Sequence, residues 1–310
     1  MSAPIVTAQG ISKWYGNVIG LNNFSIEIGK GVTGIVGPNG SGKSTFFKLL
    51  IGTIKANVGE LKVMGQNPWG NPEQLRNIGF CPDYEYLPLD LSGQDFLRMM
   101  GGLHGLRGQI LRERTAEVLR KVDMAGAAQR NMAGYSKGMK QRMKIAGSLI
   151  DNPQLLLLDE PLTGTDPMGR RELIDMVKAL NREFGHDVIV SSHVLHEVER
   201  MTHDVALIYK GRAVASGSIS EIRGLMSNHP HHIVLQGDGL VPLAKSLLDR
   251  PFTASVQLAY DRKLLTVEVL RPDEFFDAVP ELIRETGCLL ESMRSLDDDL
   301  ESVFKYLAGW

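Results

Sequence analysis

Gly37-Pro38-Asn39-Gly40-Ser41-Gly42-Lys43-Ser44 stands between an apolar run, Gly31-Val32-Thr33-Gly34-Ile35-Val36, and Thr45-Phe46-Phe47-Lys48-Leu49-Leu50. The octet fits G-x-x-x-x-G-K-[ST], a phosphate-binding loop, and its flanks read as a buried strand and the first turns of a helix. The glycines let the backbone turn its N–H groups inward, making a nest for phosphate oxygens. The helix start behind the nest adds partial positive charge. Lys43 is placed to reach β- and γ-phosphates, and the Ser44 hydroxyl to ligate Mg²⁺. Gly37, Asn39, Gly40, Ser41, Gly42, Lys43, Ser44 and Thr45 are therefore the expected nucleotide contacts, and the chain is expected to bind a nucleoside triphosphate.

A chain of 310 residues suggests two domains, and 43% hydrophobic residues suffice for real cores. Net charge is −2 with no strongly basic half, which argues against nucleic acid as the main partner. The two cysteines, Cys81 and Cys288, lie far apart, as expected in a reducing compartment. The first residues lack a charged start followed by an apolar core, so no signal peptide is expected. No window reaches 18 uninterrupted apolar residues, so a membrane role needs another subunit.

Working outward from the octet, residues 4–36 alternate as strands do: Ile5–Ala8, Leu21–Ile28 and Val32–Val36. Short strands follow at Gly59–Gly65 and Ile78–Pro82, with a short helix from Pro72 to Arg76 between them. From about 84 to 150 the pattern turns helical, with Ser92 and Ser136 as helix caps. Leu155–Leu158 and Asp187–Ser191 read as strands buried on both faces, the kind found in parallel sheets. A helix over Arg170–Phe184 lies between them, and Asp204–Tyr209 reads as the last strand of the first domain. Ser227–Pro230 is a plausible linker. Beyond it the order is strand, helix, strand, strand, helix, strand, which is the split βαβ or ferredoxin-like order, with Asp273 capping the second helix and a terminal helix over 298–307.

Three further stretches carry chemistry. Leu155-Leu156-Leu157-Leu158-Asp159-Glu160-Pro161 puts two carboxylates at the end of a buried strand, where ligands of open α/β sheets sit. Asp159 would hold Mg²⁺, and Glu160 would polarise the attacking water. An acidic helix cap after a core strand is the plainer reading, and the phosphate loop tips the choice to the functional one. Ser191-Ser192-His193 leaves the next buried strand, and a histidine there could hydrogen-bond the γ-phosphate and the water. Tyr135-Ser136-Lys137-Gly138 opens a helix whose first-turn lysine opposes the helix dipole, a conflict that a bound anion would remove.

Taken together, these stretches resemble the ATP-binding subunit of an ABC transporter over about residues 4–225. Gly37–Ser44 is similar to its Walker A, Leu155–Glu160 to its Walker B with the catalytic glutamate, and Tyr135–Gln141 to its signature. Gly164-Thr165-Asp166-Pro167 resembles the D-loop, His193 the switch histidine, and Tyr15 the aromatic residue on which adenine stacks. The resemblance implies an α/β P-loop NTPase core of ABC-ATPase type with an antiparallel β subdomain and a helical insert at about 84–150. It spans 1–225, followed by a small α+β ferredoxin-like domain at 229–310. It also implies ATP hydrolysis with Mg²⁺, using Lys43, Glu160 and His193, with Ser44, Asp83 and Asp159 at the metal. Such domains work head to tail in pairs, homodimeric or with a paired ATPase subunit, so Ser136 and Gly138 would meet the nucleotide of the other copy, and Asp166 is a further nucleotide contact that the resemblance implies. A separate transmembrane permease would place the chain at the cytoplasmic face of the membrane.

The signature reads Tyr-Ser-Lys-Gly-Met rather than Leu-Ser-Gly-Gly-Gln, and Tyr135–Arg142 resembles the ABC-2 exporter branch, which often carries an extra C-terminal domain. Asp83, in Cys81-Pro82-Asp83, stands where the family has its Q-loop glutamine and adds negative charge beside the phosphates. Thr165 replaces the usual D-loop leucine. A soluble ABC-type switch acting on a nucleoprotein or assembly complex is the competing function. The single cassette and the short insert speak against the translation and chromosome types. His229, His231 and His232 are read as solvated rather than as a metal site.

Overall fold

A computed structural model of the chain describes residues 3–84, 87–224, 231–259, 261 and 263–295. It divides into two compact units, Met1–Ile219 and Ser220–Trp310. The first unit opens with a hairpin, β1 (Val6–Tyr15) and β2 (Val18–Ile28), then β3 (Val32–Val36) and α1 (Lys43–Leu50). Next come β4 (Val58–Val63), α2 (Pro72–Leu75) and β5 (Ile78–Cys81). The helical insert holds α3 (Gly93–Leu103), α4 (Gly108–Lys121) and α5 (Lys137–Leu149). After it run β6 (Leu155–Leu158), α6 (Pro167–Arg182), β7 (Asp187–Ser192), α7 (Leu195–Glu199), β8 (Asp204–Tyr209) and β9 (Arg212–Ser218).

The central sheet has the order β5-β6-β7-β3-β8-β9, parallel through its first five strands and closed by antiparallel β9. All four leucines of β6 are fully buried, because both sheet faces are covered. Leu155 and Leu157 join Ile35, Phe46, Phe47 and Ile189 in one core, which the β2-β1-β4 sheet completes. Leu156 and Leu158 face the opposite way, into Met143, Ile145, Leu173 and Val190. Each such leucine contributes about 1.5–3 kcal/mol relative to exposure. The α/β core, the antiparallel subdomain and the helical insert thus match the fold class expected from the sequence.

Several bounds differ from the sequence reading. The first two strands run on to a tight hairpin at Gly16-Asn17, because pairing to two neighbours holds the chain through register shifts that break the alternation. β8 is not the last strand: β9 pairs antiparallel with it from Asp204↔Ser218 to Tyr209↔Arg212. Helix α6 begins at Pro167, three residues early, since proline suits the first helical position.

The second unit starts with α8 (Ile219–Gly224) at the division and continues as β10 (His231–Asp238), α9 (Leu240–Leu248), β11 (Thr253–Leu258), β12 (Leu264–Val269), α10 (Pro272–Thr286) and β13 (Leu289–Ser295). Its antiparallel sheet has the order β11-β12-β10-β13, the ferredoxin-like arrangement. Asp273 is not a cap. Arg271 holds that position without a side-chain bond, Pro272 starts α10, and Asp273 sits in the first turn, where its charge suits the dipole. Phe275, Val279 and Leu282 are the buried residues of α10, while Phe276 is exposed. The linker at 227–230 and the helix at 298–307 lie outside the described residues.

Helix α5 packs on edge strand β5 at a glycine. A Cβ on Gly79 would stand 2.2 Å from the Ser148 carbonyl oxygen and 2.8 Å from Pro153 Cγ. Gly79→Ala is expected to lower stability by about 1–3 kcal/mol, because α5 must back away from the sheet. Thermal unfolding checks this, and an unchanged Tm would contradict the packing described.

Candidate active site

Four neighbouring strands, β5, β6, β7 and β3, end on the same edge of the parallel sheet. Their registers align Cys81 with Leu158, Leu158 with Val190, and Val36 with Ser192. The chain leaves these ends as Asp83, Asp159-Glu160, His193 and Gly37, so residues far apart in sequence meet at one place.

Lys43, in the first turn of α1, is buried, and its ammonium donates to the carbonyls of Gly37 (2.6 Å) and Pro38 (3.3 Å). It also lies 3.3 Å from Glu160 Oε1. The other oxygen of Glu160, Oε2, is 2.8 Å from His193 Nδ1. Lysine, glutamate and histidine thus form one chain of charge-assisted contacts. Any phosphate oxygen offered to Lys43 competes with Glu160 for the same ammonium.

Ser191 organises the acidic pair. Its hydroxyl donates to Asp159 Oδ1 at 2.6 Å and accepts from the Glu160 backbone N–H at 2.8 Å. Glu160 has φ 48°, a left-handed conformation that costs a non-glycine residue energy, and the Ser191 bond holds it there. The sequence reading passed over Ser191 in favour of His193. The signal available was a small polar residue ending a strand otherwise made of Val188, Ile189 and Val190.

Burial is the main cause that pushes the Asp159 carboxyl above its ordinary range. The Ser191 hydrogen bond opposes this, the charges of Asp83 and Glu160 add to it, and a hydrogen bond from Ser44 opposes it again. A buried carboxylate crowded by two others and touched by a hydroxyl is suited to a hard cation. No three His, Cys, Asp or Glu side chains converge at metal-ligand distance among the described residues. Asp159 and Ser44 are the residues here that could hold a divalent cation, with phosphate oxygens and waters completing its shell.

The loop itself also fits phosphate. Ser41 Oγ is buried without a hydrogen-bond partner, which in a native interior points to a missing donor or acceptor from a ligand. Gly42 has φ 113°, and a Cβ there would stand 2.8 Å from the Gly20 carbonyl oxygen. Tyr15 is 43% exposed, and its ring edge lies beside the start of α1: a Cβ on Gly20 would stand 2.9 Å from Tyr15 Cε2 and 3.0 Å from Thr45 Cγ2. The ring lies next to the loop, with the Lys13 ammonium 5.6 Å from its centroid.

Ser136, Gly138 and Asp166 share no hydrogen bond or ion pair with this cluster. Ser136 is exposed and caps α5, accepting from the Met139 N–H at 3.2 Å. A Cβ on Gly138 would meet nothing nearer than Ser136 Oγ at 4.0 Å, so packing within the chain does not require glycine there. Asp166 is exposed at the start of α6 and makes no side-chain cap. Thr165 is buried, and its hydroxyl closes a turn onto the Leu162 carbonyl at 2.6 Å, which accounts for a polar residue where the family has leucine.

Asp83 lies between two fields. Its charge bears on Asp159, while a cavity of about 380 Å³ beside it is lined by Lys137, Lys140 and buried Lys144. Lys144 Nζ donates to the Asp83 carbonyl at 3.3 Å.

A model of the ABC transporter family matches residues 21–163. The chain is 31% identical over 311 residues to the daunorubicin resistance ATP-binding protein DrrA3 of Streptomyces coeruleorubidus, covering 100% of this chain and 97% of that protein. It is 29% identical over 313 residues to the Nod factor export ATP-binding protein I of Rhizobium leguminosarum bv. viciae, covering 100% and 96%. Among solved structures, a nucleotide-free ATP-binding cassette from an ABC transporter superposes with a TM-score of 0.65 at 24% identity, over 72% of this chain and 95% of that one.

Removing the Asp83 charge should favour phosphate where no cation offsets it. Asp83→Gln is expected to bind ATP more tightly than the parent in the absence of Mg²⁺, by about 1 kcal/mol or roughly fivefold. Equilibrium titration with EDTA present checks it, and equal affinities would refute the assignment.

Proposed function

Since the chain belongs to the ATP-binding proteins of ABC transporters, we propose that it hydrolyses ATP to power export through a separate membrane subunit. The observation that carries the reading is the contact chain from Lys43 through Glu160 to His193, set beside the Asp159–Ser191 pair. The export role rests on the relatives concerned with daunorubicin resistance and Nod factor export, together with the signature of the ABC-2 kind.

Lys43 and the backbone N–H groups of residues 37–45 hold the β- and γ-phosphates, and Tyr15 stacks the adenine. Mg²⁺, when held by Ser44 and Asp159, neutralises charge on the phosphates. Glu160 orients the attacking water and takes up its proton, and His193 keeps the glutamate aligned from the other side. Lys43 turns from Glu160 to the phosphates as these bind, freeing Glu160 Oε1 for the water. Ser136, Gly138 and Asp166 meet the nucleotide of a second ATPase subunit, a reading supported by the exposure of Ser136 and Asp166. The permease is a separate membrane subunit in this reading, and the chain works at its cytoplasmic face; no helix among the described residues is long and apolar enough to cross a membrane. Residues 1–225 form the ATPase domain and 229–310 an accessory domain.

Glu160→Gln is expected to cut steady-state hydrolysis by about 10²-fold or more, as removal of a catalytic base does. The same variant should still bind ATP and should dimerise in it, as read by light scattering on a sizing column. Parental turnover would remove Glu160 from the mechanism, and a monomer in saturating ATP would refute the paired site.

A further inference from the structure

His193 is 46% exposed and makes one hydrogen bond, to Glu160. Little packing therefore holds the imidazole, and its aim depends on the backbone of residues 192–194. That backbone is pinned on both sides of the histidine. The Ser192 carbonyl accepts from the Gly37 N–H of the phosphate loop at 3.3 Å. The Ser192 hydroxyl accepts from the Val194 N–H at 3.0 Å and donates to Glu197 Oε2 at 3.2 Å.

Glu197 uses its second oxygen elsewhere. Its Oε1 lies 3.0 Å from a terminal nitrogen of Arg170, and the Arg170 Nε donates to the Thr165 carbonyl at 3.2 Å. Glu197 is largely buried, with its side chain 13% exposed, so the pair is sheltered on one side. The planar guanidinium can serve two acceptors at once in a fixed geometry, which an ammonium cannot do. A continuous path of hydrogen bonds and one ion pair thus runs from Thr165 through Arg170, Glu197 and Ser192 to the residues flanking His193. At its far end Thr163, Gly164 and Asp166 are exposed.

We propose that Arg170 and Glu197 form a strut that positions His193 against Glu160 according to where the 163–166 loop stands. Both are positioning residues, since neither touches the phosphate cluster. A subunit pressing on the exposed loop moves the Thr165 carbonyl, and the strut passes that movement to the 192–194 segment. Hydrolysis then becomes sensitive to what occupies the far side of the loop. This rests on the proposed ATPase reaction at the same site.

The experiment uses the full chain with Arg170→Met, Arg170→Lys and Glu197→Gln. Steady-state ATP hydrolysis is measured together with amide hydrogen exchange of the 190–196 segment. Misplacing His193 is expected to lower kcat by about 10-fold or more in Arg170→Met and Glu197→Gln, with KM for ATP within about twofold of the parent. Exchange in 190–196 should quicken in both, while strands β3, β6 and β7 keep their protection. Arg170→Lys keeps the charge but loses the fork, and should fall between. Parental kcat with parental exchange at 190–196 would overturn the strut. So would exchange that rises equally across the core strands with a falling Tm, since that marks a role in stability alone. If the parent chain does not hydrolyse ATP, the proposed reaction fails, and the exchange measurement still decides whether Arg170 and Glu197 hold the His193 segment.

Discussion

Everything at the candidate site depends on β6, β7 and β3 being adjacent parallel strands that end together. Parallel pairing gives each strand end the same direction, and each end carries a different piece of chemistry. β3 delivers the phosphate loop, β6 the Asp159–Glu160 pair and β7 the Ser191–His193 segment. Without that adjacency, Glu160 could not lie within 3.3 Å of Lys43 and 2.8 Å of His193 at once. The order is itself a consequence of burial. Strands as apolar as Leu155–Leu158 and Val188–Val190 need cover on both faces, and only the middle of a layered sheet supplies it.

Within that frame, the electrostatics are held in balance by a few hydroxyls. Ser191 is donor to one acidic residue and acceptor for the other, so two like charges can share one strand end. The Ser44 hydroxyl also favours the charged form of Asp159. The next residue, Ser192, acts in a comparable way, tying the His193 segment to the phosphate loop and to Glu197. Neutral hydroxyls achieve this at low desolvation cost, whereas additional charges would need partners of their own. Asp83 is the exception. It brings a third negative charge to the edge and faces a lysine-lined cavity on its other side.

Most of the fold was legible in the sequence, for reasons visible in single segments. The phosphate loop with its flanks is a local motif, because its glycines and lysine act through backbone within eight residues. Strands buried on both faces announce themselves as unbroken apolar runs, and Ser92 and Ser136 cap helices where they stand. The β9 strand was hidden, because Ala213–Gly217 has mostly small side chains and gains its strand geometry from pairing to β8. The long β1–β2 hairpin was hidden in the same way, by register shifts that erase the alternation.

The sequence by itself determined which chemical groups are available to the proposed site for phosphate, cation and water. Chemical type and short-range spacing decide that, and Lys43, Ser44, Asp159, Glu160 and His193 carry it in their identities. Only the tertiary structure decided how they touch: that Lys43 forms an ion pair with Glu160, that Ser191 braces both acidic residues, and that Arg170 reaches the His193 segment through Glu197. Apart from the local Ser192–Glu197 bond, these contacts join residues 27 to 117 positions apart, from Arg170–Glu197 to Lys43–Glu160. Their geometry comes from strand order and register, which no local pattern encodes.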